Sequence, residues 1–437
     1  MYLVSIIVTV FNDSELILEC LTKCQKLNEK NVQIVVVDDC STDDSFKRAC
    51  EISKKSKNII VHRNDKNMGV GAARNVGIDL ALGSYVFFLD CDDTFKGNFF
   101  AEFEAVSGES PDLILTPTQR SVNRGDEESF PSLPLQIFKS GQQEFLETIV
   151  SKEYWPSECW GCFIRRELLS RSQIRFEPIR IAEDLVFMSL VYLNVQTVAS
   201  VSEPVFIHTR KFNSLSKSFN SREANSWFTA FCRLASLAKN YHSASKEGVL
   251  LCNQINICLT YFFSSYLSVD ASSRSQLLEE NTIVTGLEYL QKIVGIEDRN
   301  ETSVEKLIDI IFLKCANSVT KIVGSLGSGE IFLYCYDRLS LAVYSALKRS
   351  QIKISGIIDD RYELVSPSQD LGIGAISPQS FKERHLIEAR VVVCHDKIDV
   401  LKSISERLST VGSHNWSAAR ITTRDFTGIL PMHTLFK

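Results

Sequence analysis

A chain of 437 residues exceeds one ordinary core, and at about 150 residues per domain it predicts about three domains. A hydrophobic content of 44% with 23% charged residues is that of a soluble globular protein. The formal net charge of -5 offers no basic field, which disfavours nucleic acid as a partner.

No stretch reaches the roughly 18 uninterrupted apolar residues of a membrane-spanning helix. The nearest, Ile255 to Val269, is broken by Asn256, Thr260, Ser264, Ser265 and Ser268 and reads as a buried bundle helix. The start, Met1 to Val8, lacks the basic region and small-residue cleavage site of a signal peptide, so a cytoplasmic protein is expected. The 13 cysteines are scattered through apolar segments, as reduced thiols are. Cys159-Trp-Gly-Cys162 has no second pair or nearby histidine to complete a zinc site, and reads as two semi-buried thiols.

Val4 to Val10 is an apolar β-branched run ending at Thr9-Val-Phe-Asn12, a strand meeting a turn. Asp13 or Ser14 is placed to cap a helix with Leu16, Ile17, Leu21 and Cys24 at helical spacing. A strand from Gln33 to Val37 runs into Asp38-Asp-Cys-Ser-Thr-Asp43, and another helix and a short strand, Asn58 to His62, follow. Strand alternating with helix predicts parallel strands joined by right-handed crossovers. Asn67 to Gly77 is a glycine-rich turn entering a helix, where Gly69 and Gly71 allow close backbone approach to a phosphate and Arg74 can neutralise one. By itself this turn is also satisfied by a packing role. Tyr85 to Leu89 is a continuous apolar run, a buried strand, that enters the carboxylates Asp90, Asp92 and Asp93. Ligand crevices of open α/β sheets lie off the carboxyl ends of strands. The three aspartates therefore read either as an oxygen-rich cation site or as an acidic turn capping the next helix.

Taken together, Thr9 to Asn12, Val36-Val-Asp-Asp39 with Ser41, the Asn67 to Gly77 turn and Leu89-Asp-Cys-Asp-Asp93 resemble the family 2 glycosyltransferases of the GT-A fold. Trp160 to Leu169, Ile181-Ala-Glu-Asp-Leu-Val-Phe187, and Pro204 to Arg210 with Asn213-Ser-Leu-Ser216 extend the resemblance. It covers roughly the first half of the chain. The fold class it implies is α/β, a GT-A nucleotide-diphospho-sugar transferase domain over 1–221.

From about Arg222 to Val323 strand signals are lacking. Apolar-periodic stretches at Trp227 to Leu237, Val249 to Leu267 and Val304 to Ile322 predict a helical segment over 222–323, with breaks at Asp270 to Ser275 and Glu297 to Ser303. Gly324 to Gly329 reads as a flexible linker. Strand Ile331 to Tyr334, helix Leu341 to Lys348 and strand Ile354 to Ile358 form a βαβ unit, extended by strand Arg390 to Cys394 and helix Ile398 to Leu408. The 324–437 region resembles the Rossmann-like domains attached to some carbohydrate-pathway enzymes. The turn after its first strand, Cys335-Tyr-Asp-Arg-Leu-Ser340, contains no glycine, so a structural or homo-oligomerising role is expected over cofactor binding.

The family resemblance implies an inverting, metal-dependent transferase using a UDP-sugar donor and Mn2+ or Mg2+, with a glycan or polyol-type acceptor of bacterial surface polysaccharide. It assigns Thr9, Phe11, Asp39, Asn67, Arg74, Asp90 and Arg210 to the nucleotide-sugar. Asp39 would accept the uracil N3 hydrogen, and Thr9 and Phe11 would line the base pocket. Asp92 would ligate the metal, with Asp90 on the ribose or a metal-bound water. His208 is assigned as a further metal ligand or phosphate contact, and a buried structural histidine satisfies the same residue. Asp184 is implied as the base, with Glu183 orienting it or binding acceptor. Such an enzyme is expected in the cytoplasm, with peripheral association at the inner face of the membrane. Two other readings compete: a silent GT-A scaffold, which the joint presence of Asp39, Asp92 and Asp184 disfavours, and a sugar nucleotidyltransferase, which needs a glycine-rich basic loop that Thr9 to Asn12 lacks.

Overall fold

The computed structural model describes residues 2–25, 27, 31–121, 127–128, 139–151, 157–201, 203–209, 221–278, 286–294, 304–326, 330–334, 338–358, 375–376, 389–394, 416–421 and 435. The chain divides into two compact units, Met1–Ser214 and Leu215–Lys437.

The first unit opens with β1 (Val4–Val10), α1 (Ser14–Cys24), β2 (Val32–Asp38), α2 (Ser45–Ser53), β3 (Ile59–Arg63), α3 (Val70–Leu80) and β4 (Tyr85–Asp90). There follow β5 (Thr94–Phe95), α4 (Phe99–Ser107), β6 (Leu113–Leu115), β7 (Thr118–Ser121), β8 (Glu127–Glu128), β9 (Lys139–Gly141) and α5 (Gln142–Ser151). The unit closes with β10 (Cys162–Arg165), α6 (Arg166–Arg171), α7 (Glu183–Asn194), β11 (Thr197–Ser200) and β12 (Phe206–Thr209). The main sheet has eight strands in the order β3-β2-β1-β4-β10-β6-β11-β9, and a four-stranded sheet runs β5-β12-β7-β8. Strands β3, β2, β1 and β4 are mutually parallel, and β10 then joins antiparallel to β4.

Every residue of β1 and β2 is buried, which is why both read as unbroken apolar runs and not as alternating ones. Helix α1 buries Ile17, Cys20, Leu21 and Cys24 against this sheet. Its N-terminus is not satisfied by a side chain of Asp13 or Ser14, as the sequence suggested. Instead the Ser14 N–H donates to Asp43 Oδ2 at 3.1 Å and the Asp13 N–H to Ser45 Oγ at 3.0 Å, so the loop after β2 supplies the cap. Helix α3 lies close over β1 because residue 77 is glycine; a Cβ there would overlap the side chain of Ile7.

The second unit contains α8 (Ser221–Ala238), α9 (Lys246–Ser268), α10 (Ala271–Leu278), α11 (Leu287–Val294) and α12 (Val304–Gly324). Its remaining elements are β13 (Glu330–Tyr334), α13 (Arg338–Arg349), β14 (Gly356–Ile358), β15 (Ala375–Ile376), β16 (Ala389–Cys394) and β17 (Trp416–Ile421). Helices α8 and α9 pack through aromatic contacts, Trp227 on Tyr261 at 4.7 Å and Phe228 on Phe262 at 5.1 Å between ring centroids. Near the break expected at Asp270 to Ser275, α9 ends at Ser268 with Val269 extended, and Asp270 accepts from the N–H and the hydroxyl of Ser273 at 3.0 and 2.7 Å and starts α10. Residues 297–303 lie outside the described residues.

Strands β15, β14, β13, β16 and β17 form a parallel sheet in that order, with β13-α13-β14 as the expected βαβ unit. The helix expected at Ile398 to Leu408 lies outside the described residues. Helix α12 continues through Gly324, the residue at which the linker was expected to begin. The segments 222–323 and 324–437 share one compact unit. Contacts between α12 and α13 run along that junction: Thr320 Oγ1 donates to Ser350 Oγ at 3.0 Å, and Arg349 pairs with Asp309 at 2.9 Å.

Candidate active site

The chain forms β1, β2 and β3 outward in one direction and then returns to place β4 on the other flank of β1. The strand order therefore reverses at β1, and the crevice opens beyond the carboxyl ends of β1 and β4. Register sets those ends level, with Thr9 opposite Val37 on β2 and opposite Asp90 on β4. Thr9 is buried, whereas Phe11 and Met68 each keep 46% of their surface exposed beside the crevice loops. The loops after β1 and β2 are tied together. Asn12, in the left-handed region at φ 54°, donates its N–H to Ser41 Oγ at 3.0 Å and accepts from the Thr42 N–H at 2.7 Å.

Asp39 is buried at the end of β2 and is engaged mainly by its own chain. Its carboxylate accepts from Asn64 Nδ2 at 2.8 Å, from the Met68 N–H at 3.0 and 3.2 Å, and from the Gly69 N–H at 2.8 Å. A carboxylate offers about four acceptor positions, so these three donors leave about one for a further hydrogen. Asn67 also turns inward, Nδ2 donating to the Asp39 carbonyl at 3.3 Å. Gly69 at φ 89° lets the chain turn into α3 while presenting that N–H.

Arg74 does not reach out of α3 towards a phosphate position; only 5% of it is exposed. Its Nη1 donates to Glu183 Oε1 at 2.8 Å and its Nη2 to Asp90 Oδ1 at 3.0 Å, bridging the end of β4 to the start of α7. The guanidinium lies 5.4 Å from the Phe176 ring, which stacks on Phe187 at 3.9 Å. Gly71 belongs to the same contact. A Cβ there would come within 3.2 Å of Glu183 Cγ and Phe176 Cβ, so its space is filled by α7 and its approach.

Helix α7 begins abruptly because Ala182 takes the left-handed conformation at φ 71°, unusual for alanine and costing about 1 kcal/mol. Glu183 and Asp184 follow at once; Glu183 is buried and Asp184 half-buried, its Oδ1 accepting from the Leu185 N–H at 2.8 Å. Burial raises the Glu183 pKa, with Arg74 opposing. Burial, and next the Glu183 charge, hold Asp184 well above the ordinary carboxylate range. Burial pulls the Arg74 pKa down, but the neighbouring carboxylates, among them Asp90 and Glu183, act the other way and the pKa stays raised. Cys159, buried beside this cluster, has its thiol pKa raised by the same desolvation. The sequence marks Cys159 as a semi-buried thiol but does not place it at this cluster, and Phe176 carries no motif.

Asp93 is not a helix cap. In the antiparallel pairing of β12 with β5, Phe206 faces Phe95 and Ile207 faces Thr94, and one further step sets His208 opposite Asp93. The buried Asp93 carboxylate lies 3.1 and 3.3 Å from His208 Nδ1 and accepts from the Thr209 N–H at 2.8 Å. Burial pushes its pKa up to about 6, against the pull of His208. Trp160 stacks on the imidazole at 4.7 Å with planes 9° apart. Asp90 and Asp92 are both half-buried.

Among the described residues no three His, Cys, Asp or Glu side chains converge as a complete metal cage. Arg210 and Asn213 to Ser216 lie outside the described residues. No helix among the described residues is long and apolar enough to cross a membrane.

Residues 5–172 match the family described as Glycosyl transferase family 2. The cholesterol galactosyltransferase of Borreliella burgdorferi is 26% identical over 228 residues, 50% of this chain and 63% of that protein. The poly(ribitol-phosphate) beta-glucosyltransferase of Bacillus spizizenii is 30% identical over 201 residues, 45% of this chain and 30% of that protein. The chain thus spans less than two thirds of the length of these curated relatives. Among solved structures, S. aureus TarS 1-349 in complex with UDP-GlcNAc superposes with a TM-score of 0.52 at 18% identity, covering 80% of this chain and 92% of that one, a likeness of fold. The four parallel strands, the crevice at their reversal point and the family match agree: the N-terminal region of this chain is a glycosyl transferase family 2 domain of the GT-A fold.

Proposed function

We propose that the protein is an inverting glycosyltransferase that moves a sugar from a UDP-sugar to a glycan or polyol-type acceptor of a bacterial surface polysaccharide such as capsule, lipopolysaccharide or teichoic acid. The observation that carries this reading is the Asp90–Arg74–Glu183 bridge, which ties the end of β4 to the first turn of α7, where Asp184 is the next residue. The names of the relatives, which include teichoic-acid and sterol glycosyltransferases, support the reaction class.

In this reading Thr9 and the exposed ring of Phe11 line the base site, with Asp39 and Asn67 holding the turn beneath it and Arg210 adding to the nucleotide-sugar contacts. Asp90 orients the ribose end of the donor. Asp92 and His208 would hold Mn2+ or Mg2+, which when bound would supply positive charge to the departing diphosphate. Asp184 takes the proton of the acceptor hydroxyl as that oxygen bonds to the anomeric carbon; the bond from that carbon to the β-phosphate oxygen breaks, and its electron pair leaves with UDP. Attack from the face opposite the nucleotide inverts configuration. Glu183, neutralised by Arg74, holds Asp184 in place. The enzyme acts in the cytoplasm, with peripheral association at the inner face of the membrane. The C-terminal parallel sheet is read as a Rossmann-like domain serving structure or self-association.

The test is a panel of UDP-sugars with Mn2+, read as UDP release in the presence of candidate acceptors. Asp184→Asn is expected to retain UDP-sugar binding and lose transfer by about 100-fold or more. Wild-type turnover in that variant refutes the assignment of the base.

A further inference from the structure

Asp93 is the one aspartate of the strand-end cluster that the proposed chemistry does not use, and it is the most deeply placed, with 3% exposure. Both of its oxygens approach the same ring nitrogen of His208, and one also takes the Thr209 N–H. An ionised carboxylate only accepts hydrogen bonds, so the nitrogen it faces must carry the hydrogen. The ring is constrained in a second direction as well. Trp160 lies flat on it at 4.7 Å and stacks in turn on Phe206 at 5.2 Å, the same-face neighbour two residues earlier on β12. With its edge held by Asp93 and its face by Trp160, the imidazole is fixed in orientation. Nε2, on the opposite edge, has no hydrogen-bond partner among the described residues.

We propose that Asp93 is a positioning residue: it fixes His208 as the Nδ1–H tautomer, so that Nε2 is an unprotonated, outward-facing lone-pair donor. This deepens the reading in which His208 serves the donor diphosphate and its cation, and rests on it for the use to which Nε2 is put. A carboxylate behind a ligating imidazole raises its basicity and fixes its direction, and loss of such a partner typically costs 10- to 100-fold in metal affinity. The tautomer itself is a property of the metal-free protein and is measurable there.

The decisive variant is Asp93→Asn. It keeps Oδ1 for the Thr209 N–H and replaces Oδ2, the second acceptor facing Nδ1, by an NH2 that only donates, so Nδ1–H is left with one neutral oxygen already shared with Thr209 and its advantage over Nε2–H falls. The measurement is the 15N spectrum of the full chain labelled at histidine, at pH 8 without metal, with the His208 signals assigned by their loss in His208→Gln. The expected result is the Nδ1–H pattern in wild type and a larger Nε2–H fraction in Asp93→Asn, together with a 10- to 100-fold weaker Mn2+ affinity in the presence of UDP. An Nε2–H pattern in wild type overturns the inference without need of any variant, which covers the case in which Asp93→Asn does not fold. An Nδ1–H fraction that is unchanged in a folded Asp93→Asn overturns it equally. Mn2+ titration of His208→Gln separates the two claims. If that variant binds Mn2+ like wild type while the tautomer shifts as expected, Asp93 does position the ring and the metal-ligand reading of His208 is what fails.

Discussion

Replacing Arg74 with methionine removes the guanidinium that donates to Glu183 at 2.8 Å and to Asp90 at 3.0 Å, while keeping a long apolar stem. Breaking a buried ion pair from one side costs about 3–5 kcal/mol, because the other charge stays behind in a medium that cannot solvate it. The two carboxylates do not share that cost equally. The Asp90 side chain is 32% exposed and can take up water, so its part is that of a surface pair, about 0–1 kcal/mol. The Glu183 side chain is 9% exposed and bears the rest. A loss of about 3 kcal/mol is expected at pH 8.

The loss must also depend on pH. Without Arg74, burial and the Asp90 charge act on Glu183 against a backbone hydrogen bond only, raising its folded pKa further above the unfolded value of about 4.3. The folded state then binds more protons than the unfolded one, and stability falls as pH rises through the folded pKa. The deficit of Arg74→Met should therefore be small near pH 5 and full at pH 8. Arg74→Met with Glu183→Gln should recover most of it, since no uncompensated charge remains. Hydrogen exchange of peptides covering Val4–Val10 and Tyr85–Asp90, corrected for intrinsic rate at each pH, reports the first unit separately from the second. A loss below about 1 kcal/mol at pH 8, or one that is flat with pH, refutes the bridging role derived for Arg74.

Phe11→Ala should leave stability unchanged, because 46% of the ring is exposed, yet weaken UDP binding by about 1–3 kcal/mol in calorimetry, the range for loss of a base-stacking aromatic; unchanged affinity removes Phe11 from the base site. For the pH profile, burial and the Glu183 charge hold the Asp184 pKa up, so kcat/KM should rise with pH along an acidic limb above the ordinary carboxylate range. Glu183→Gln should shift that limb to lower pH, and a limb that stays in place argues against Asp184 as the titrating base. Gly71→Ala pushes a methyl to 3.2 Å from Glu183 Cγ, so it should lower kcat with little change in UDP affinity; equal losses in both would place the disturbance at the nucleotide instead.

What the residues determined by themselves was local. Val4 to Val10 and Tyr85 to Leu89 are buried on both faces, and burial on both faces is written as an unbroken apolar run. The acidic turns at Asp38–Asp39 and Asp90–Asp93, and the start of α7 at Glu183, were legible because turn chemistry and periodicity act over a few residues. The partners of those charges were decided only by the tertiary structure. Arg74 meets Glu183 across 109 positions, and Asp93 meets His208 across 115. Asp43 satisfies the first turn of α1 from 29 positions away, and Asp39 spends its carboxylate on a turn 29 and 30 positions downstream. A charged side chain carries no record of its partner, because the pairing follows from sheet register and helix approach. The Asp93–His208 contact exists since β5 and β12 pair with Ile207 opposite Thr94, and the Arg74 bridge since α3 lies close to the approach to α7 at Gly71. The residue types announced a charged crevice at the strand ends; packing decided which charges hold one another and which are left to meet a substrate.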